Sequence, residues 1–179
     1  MKKGFIIVMI LVAGYSAQAQ FKKATLQASG LTCAMCNNAI NKALKGLPFV
    51  SSVKSDIKNA SFEIELKDKT EADIDAIRQA VEDAGFFVAK LKLTGNFDNV
   101  SVKNDGHVTI NGKTFHFLEI NDQVLNGEKT LTLLDKNFLT AKAFRKLSGA
   151  TKMACMQTGD MKSEKNGVVV STRVFHVTI

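Results

Sequence analysis

The sequence predicts an α+β fold. Residues 20–94 form two helices on one face of a four-stranded sheet, and a small, mostly-β unit follows over 107–179. Three observations lead there. "KATLQAS" and "SFEIELK" alternate apolar and polar residues, as half-buried strands do. Apolar residues at helical spacing form one stripe after Cys36 and a second after Thr70. The second half repeats short strand-like runs, with a single helical run among them.

The elements follow in order. Ala24, Leu26 and Ala28 line one face of the first strand. From Cys36, Ile40, Ala43, Leu44 and Leu47 form the first helical stripe. "LPFVSSVKSDI" reads as a strand of weak alternation. In the next strand Phe62, Ile64 and Leu66 face one way, and Glu63 and Glu65 the other. "TEAD" from Thr70 to Asp73 has the pattern of a capping box. Ile74, Ile77, Val81 and Ala84 form the second stripe, which Gly85 ends. "FFVAKLKL" is the fourth strand, with Phe87, Ala89, Leu91 and Leu93 on one face. The order is that of a ferredoxin-like βαββαβ unit. "TGNFDNVSVKNDG" is rich in Gly, Asn and Asp, and predicts a linker over 95–106. Beyond it, "HVTING", "KTFHFLEI", "KTLTLLD", "TKMACMQTG" and "GVVVSTRVFHVTI" are strand-like, and "TAKAFRKL" is helical. Short strands with one helix suggest a small barrel, of the oligonucleotide/oligosaccharide-binding type as one shape.

The first nineteen residues have another character. Lys2 and Lys3 precede the apolar run "GFIIVMILVAG", and "AQA" at Ala17, Gln18 and Ala19 closes it. This is the order of a secretory signal, so the reading is cleavage after Ala19 and a periplasmic or secreted chain. The apolar run is shorter than the roughly 20 residues of a spanning helix, which disfavours a retained anchor. The net charge of +7 comes from single basic residues scattered among acidic ones, with no basic cluster. A nucleic-acid partner is therefore not expected.

Three cysteines are too few and of the wrong parity for a disulfide framework. Two of them, Cys33 and Cys36, lie in "GLTCAMCNNAI" at the start of the first helix. A c-type haem would need His after Cys36, where Asn37 stands. A structural zinc site needs four ligands, and no second pair is near. Redox chemistry suits a helix N-terminus, which lowers a thiol pKa, but the order of elements is not thioredoxin-like. A two-thiolate site for a soft ion remains, with Cu(I) favoured over oxygen-seeking ions. A permanent disulfide is the competing reading.

"GLTCAMC" within a βαββαβ pattern resembles the heavy-metal-associated domain, over residues 22–93. That family includes copper chaperones, modules of copper-transporting ATPases and the periplasmic mercury-binding protein. "INKALKGLPFVSSVKSDI" and "AIRQAVEDAGF" extend the resemblance to both helices. It implies a metal site at Cys33 and Cys36, and a metal-transporting or metal-accepting protein as partner. Leu31 stands for the family's usual Met, and Phe86 for a frequent Tyr. Zinc-binding members tend to carry Asp where Thr32 stands, so the resemblance implies Cu(I) or Hg(II) before Zn(II). The expected function is Cu(I) transfer or sequestration. Mercury scavenging and thiol–disulfide exchange are the alternatives.

In the second half, "MACMQTGDM" gathers Met153, Cys155, Met156 and Met161. These are soft donors, and a second copper site with His116 or His176 is weighed against plain core packing. Strand alternation would put Met153 and Cys155 on one face and Met156 on the other. His107 is expected at the surface, and His116 and His176 to face away from their flanking apolar neighbours. No Ser-His-Asp or Cys-His constellation and no phosphate loop is present, so an enzyme is not expected.

Overall fold

A computed structural model describes residues 18–30, 34–165 and 168–179. The N-terminal elements are β1 (Gln18–Ser29), α1 (Ala34–Lys45), β2 (Val50–Asp56), β3 (Ser61–Leu66), α2 (Ile74–Asp83) and β4 (Phe87–Val102). These are the six predicted elements in the predicted order. Ile40 and Leu44 of α1 and Ile74, Ile77 and Val81 of α2 pack with Leu26, Phe62, Ile64, Leu91 and Leu93 in one core. None of the described helices is long and apolar enough to cross a membrane.

Two local details differ from the sequence pattern. The N-cap of α2 is Asp73, whose carboxylate accepts the Ala76 N–H at 3.0 Å. Thr70 instead donates its hydroxyl to the Lys67 carbonyl at 2.7 Å. At the start of β4 the pairing with β1 slips between Gln27 and Ala28, leaving Ala89 as an extra residue. A bulge inverts the alternation. Val88 is therefore buried with Leu91 and Leu93, and Phe87 is 69 % exposed.

The segment expected as a linker, 95–106, is mostly strand. β4 continues through Gly95 to Val102 and pairs with β1 on one edge and with a later strand on the other. Its polar composition reflects bulges and an exposed face: Asn99 has φ +50° at an irregularity in the ladder. Gly95 is needed where it stands. A Cβ there would lie 2.7 Å from the Gln20 carbonyl and 2.9 Å from the Phe21 ring.

The second half contributes β5 (Gly106–Ile110), β6 (Lys113–Phe117), β7 (Gln123–Leu133), α3 (Ala141–Leu147), α4 (Cys155–Thr158), β8 (Asp160–Lys165) and β9 (Val168–Thr178). A 3-10 turn at Lys136–Phe138 lies between β7 and α3. The sheet order is β2-β3-β1-β4-β7-β9-β6-β5, with β8 paired to β9. β6 and β9 run parallel and the other pairs are antiparallel. Strands from both halves thus share one sheet, and among the described residues the ladder does not close into a barrel. It curls nonetheless. Asn111, in the β5–β6 turn, accepts the Ala19 N–H at 3.3 Å and donates its side-chain amide to the Ala19 carbonyl. The curl encloses Phe21, Phe97, Phe115 and Phe175, with ring centroids 5.8–6.0 Å apart along the chain of contacts. The described part of β1 opens with Gln18 and Ala19, which loss of the first nineteen residues would remove.

Gly95→Ala should destabilise the chain by about 1–3 kcal/mol, the cost of overpacking, since Phe21 and the Gln20 backbone must move. Gly149→Ala, which meets nothing within 4 Å, should stay within about 0.5 kcal/mol of the parent. Urea midpoints of the two variants check the difference.

Candidate metal centres

The predicted site opens α1. Gly30 follows β1 with φ +83°, a left-handed conformation that favours glycine. Cys33, with Leu31 and Thr32, lies outside the described residues. Cys36 lies in the first turn of α1, half-buried and disulfide-bonded. Met35 beside it is 82 % exposed, as a solvent-facing residue should be. Asn37 is buried, and its side-chain Nδ2 has no hydrogen-bond partner among the described residues.

A second cluster forms where three strands meet. Asn111 and Gly112 both have positive φ, +48° and +73°, the requirement of a two-residue type I′ hairpin turn. That turn pairs Ile110 with Lys113 and, counting outward, His107 with His116. The parallel register of β6 and β9 then sets His116 beside His176. Two histidines of one hairpin and a third from the C-terminal strand therefore stand in one row. The rings of His107 and His116 stack with centroids 4.2 Å apart, and His176 meets His116 edge-on at 5.1 Å.

This row faces away from Phe115 and Phe117, as the alternation predicts, but not into solvent. The α3–α4 segment covers it, with Leu118, Leu134, Phe144 and Met156 as a second apolar cluster. His116 and His176 are fully buried and His107 is half-buried, against the expectation of a surface position. The expected strand at "TKMACMQTG" is in its central part the short helical turn α4, ended by Gly159 in the left-handed region at φ +77°. Cys155 and Met156 are thus both buried, whereas Met153 and Met161 are each 39 % exposed.

α4 brings Cys155, a free thiol, onto the histidine row. Its Sγ lies 3.5 Å from His107 Nε2 and 3.6 Å from His116 Nδ1. The three donor atoms all lie within 4.8 Å of one another; His176 does not join that group. Burial lowers the pKa of both His107 and His116, aided by His176 for His107 and by its stacked neighbour His107 for His116. Burial likewise pushes the Cys155 thiol up. Carboxylates orient two of the rings. His116 Nε2–H donates to Asp105 Oδ1 at 2.9 Å, and His176 Nδ1–H donates to Asp135 Oδ1 at 3.0 Å. The Asp105 carboxyl is held below its usual range by the Thr151 side chain first, and also by His116.

Asp135 is itself buried and accepts from the His176 backbone N–H at 3.0 Å and from Arg173 Nη1 at 3.2 Å. Arg173 also donates to Asp75 of α2 at 3.1 Å, tying the two halves of the chain. Burial works against its charge, but Asp135 and Asp75 outweigh it and raise its pKa. Of the cluster members, His107 was expected at the surface and Asp105 was not a candidate. The signal was there: "INGK" sets the hairpin register that makes His107 the partner of His116.

Comparison with known proteins identifies the first half. Residues 25–87 match the Heavy-metal-associated domain, so the chain carries that domain in its N-terminal part. A probable copper-transporting ATPase of Arabidopsis thaliana is 30 % identical over 102 residues, which are 57 % of this chain and 10 % of the ATPase. The N-terminal domain of a potential copper-translocating P-type ATPase from Bacillus subtilis is 31 % identical, covering 41 % of this chain and 88 % of that domain at a TM-score of 0.35. Oxidized MerP from Ralstonia metallidurans CH34 is 24 % identical, covering 40 % of this chain and 94 % of its own at a TM-score of 0.35.

Replacing Asp135 by Ala should lower stability by about 2–3 kcal/mol, because the hydrogen bonds of Arg173 and His176 are charge-assisted and lose a buried acceptor. Asp135→Asn, which keeps one carbonyl acceptor, should lose less. Thermal melts of both variants at one pH check the order.

Proposed function

We propose that this is an exported copper-binding protein that holds Cu(I) between Cys33 and Cys36 for transfer or sequestration. The observation that carries the reading is the heavy-metal-associated match over 25–87, which brackets "GLTCAMC" at the start of α1. Cys36 lies in the first turn of a twelve-residue helix, where the dipole favours its thiolate. Cys33 would supply the second thiolate. Two soft donors suit Cu(I), and two-coordination leaves the ion open to attack. An acceptor's thiolate or thioether enters the coordination sphere first; Cys33 or Cys36 then leaves. The disulfide at Cys36 means that two-electron reduction by a dithiol must precede loading. Export follows from the leader-like residues 1–19, and the acceptor would be a metal-transporting or metal-accepting protein. Hg(II) is the rival ion.

That same disulfide supports thiol–disulfide exchange as the second reading. Anaerobic competition of Cu(I), Zn(II) and Hg(II) against chelators, with the protein reduced, separates the cases. Cu(I) should be held in preference to Zn(II), and in a Cys155→Ser background Cys33→Ser with Cys36→Ser should weaken it at least about 100-fold, beyond the cost of removing a supporting contact. Turnover of a disulfide substrate, with Cu(I) binding unchanged by the two serines in that Cys155→Ser background, would replace the copper reading by the redox one.

A further inference from the structure

We propose that His107, His116 and Cys155 form a second copper site, independent of Cys33 and Cys36. The distances suit an ion. With bonds of about 2.3 Å to sulfur and about 2.0 Å to nitrogen, angles from tetrahedral to trigonal require S···N separations of about 3.5–3.7 Å. The observed separations are 3.5 and 3.6 Å. Both sulfur–nitrogen pairs are therefore already at ligand spacing, and the three donor atoms lie within 4.8 Å of one another.

The orientation of His116 supports the same assignment. An ionised carboxylate only accepts, so Asp105 keeps the proton of His116 on Nε2. Nδ1 then carries a lone pair, and it faces Cys155 Sγ. A carboxylate behind an imidazole whose other nitrogen faces a thiol is the usual support of a metal-bound histidine. Without an ion, the buried Nδ1 has sulfur as its hydrogen-bond partner, and sulfur is a weak one.

The donor set narrows the metal to a soft or borderline ion, and the nearby thioethers favour copper over zinc. Two imidazoles and one thiolate, with a thioether nearby, suit copper better than oxygen-seeking ions. A cavity of about 680 Å³ opens beside the cluster, lined by His107, Cys155, Met153 and Met161. It gives the ion a route in and leaves the fourth position open to a methionine sulfur or an incoming ligand. On binding, the Cys155 sulfur forms the metal bond and its proton passes to solvent. Asp105 is a positioning residue, acting through His116.

The test uses the full chain carrying Cys33→Ser and Cys36→Ser, titrated anaerobically with Cu(I) against a chelator of known affinity. One equivalent should be retained, and X-ray absorption should show nitrogen and sulfur ligands together. Adding Cys155→Ser should weaken it at least about 100-fold, and Asp105→Asn about 10–100-fold. Melting curves show whether each variant is folded. Should Cys155→Ser unfold the chain, His107→Gln takes its place, since that ring is half-exposed. Failure of the double-serine protein to hold Cu(I) would overturn the proposal, as would equal retention after removal of Cys155 or His107. Binding of Zn(II) without copper would overturn the metal assignment. None of these outcomes depends on the first site.

Discussion

The shared strand β4 is the constraint on which the rest of the structure depends. Sixteen residues, Phe87 to Val102, give one edge to β1 and the other to β7. Without that second edge the later strands would have no sheet to join. The βαββαβ unit thus acts as a template for the second half, and the hydrophobic core runs through both. Gly95 marks the price of the arrangement: Phe21 and the Gln20 backbone occupy the space a side chain would need.

Once β5, β6 and β9 are held beside β7, the chemistry of the second half follows from register. An Asn-Gly turn sets His107 against His116, and parallel pairing sets His176 next in line. Buried imidazole nitrogens mostly find partners, although His176 Nε2 has none among the described residues. Asp105 and Asp135 supply two of them, and α4 lays Cys155 against the remaining face of His116. Arg173 donates to Asp135, to Asp75 of α2 and to the Gly159 carbonyl at the end of α4, which ties that cover to the first half.

Legibility in the sequence differed between the halves. Alternation and helical stripes disclosed the six N-terminal elements because each is half-buried against one layer. The face of Phe87 was misread because the bulge at Ala89 has no composition signal. Residues 95–106 looked like a linker because an exposed, bulged strand uses the same Gly, Asn and Asp as a loop. "TKMACMQTG" looked like a strand because four residues carry too little periodicity to tell one turn of helix from an extended run. Cys36 became a candidate through its place at the start of a helix together with the family resemblance, not through spacing alone. The cluster at Cys155 needed three separate segments to meet.

What the sequence by itself determined was local: the order of elements, the helix start at the cysteine pair, and the hairpin register that opposes His107 and His116. Each depends on residues close together in the chain. Tertiary structure decided that the two halves share a sheet, that the histidine row is covered, and that Cys155 reaches it. Those outcomes depend on edge pairing and on the burial of Phe144 and Met156 against Leu118 and Leu134, contacts between residues far apart in the chain. No pattern within a single segment encodes such contacts.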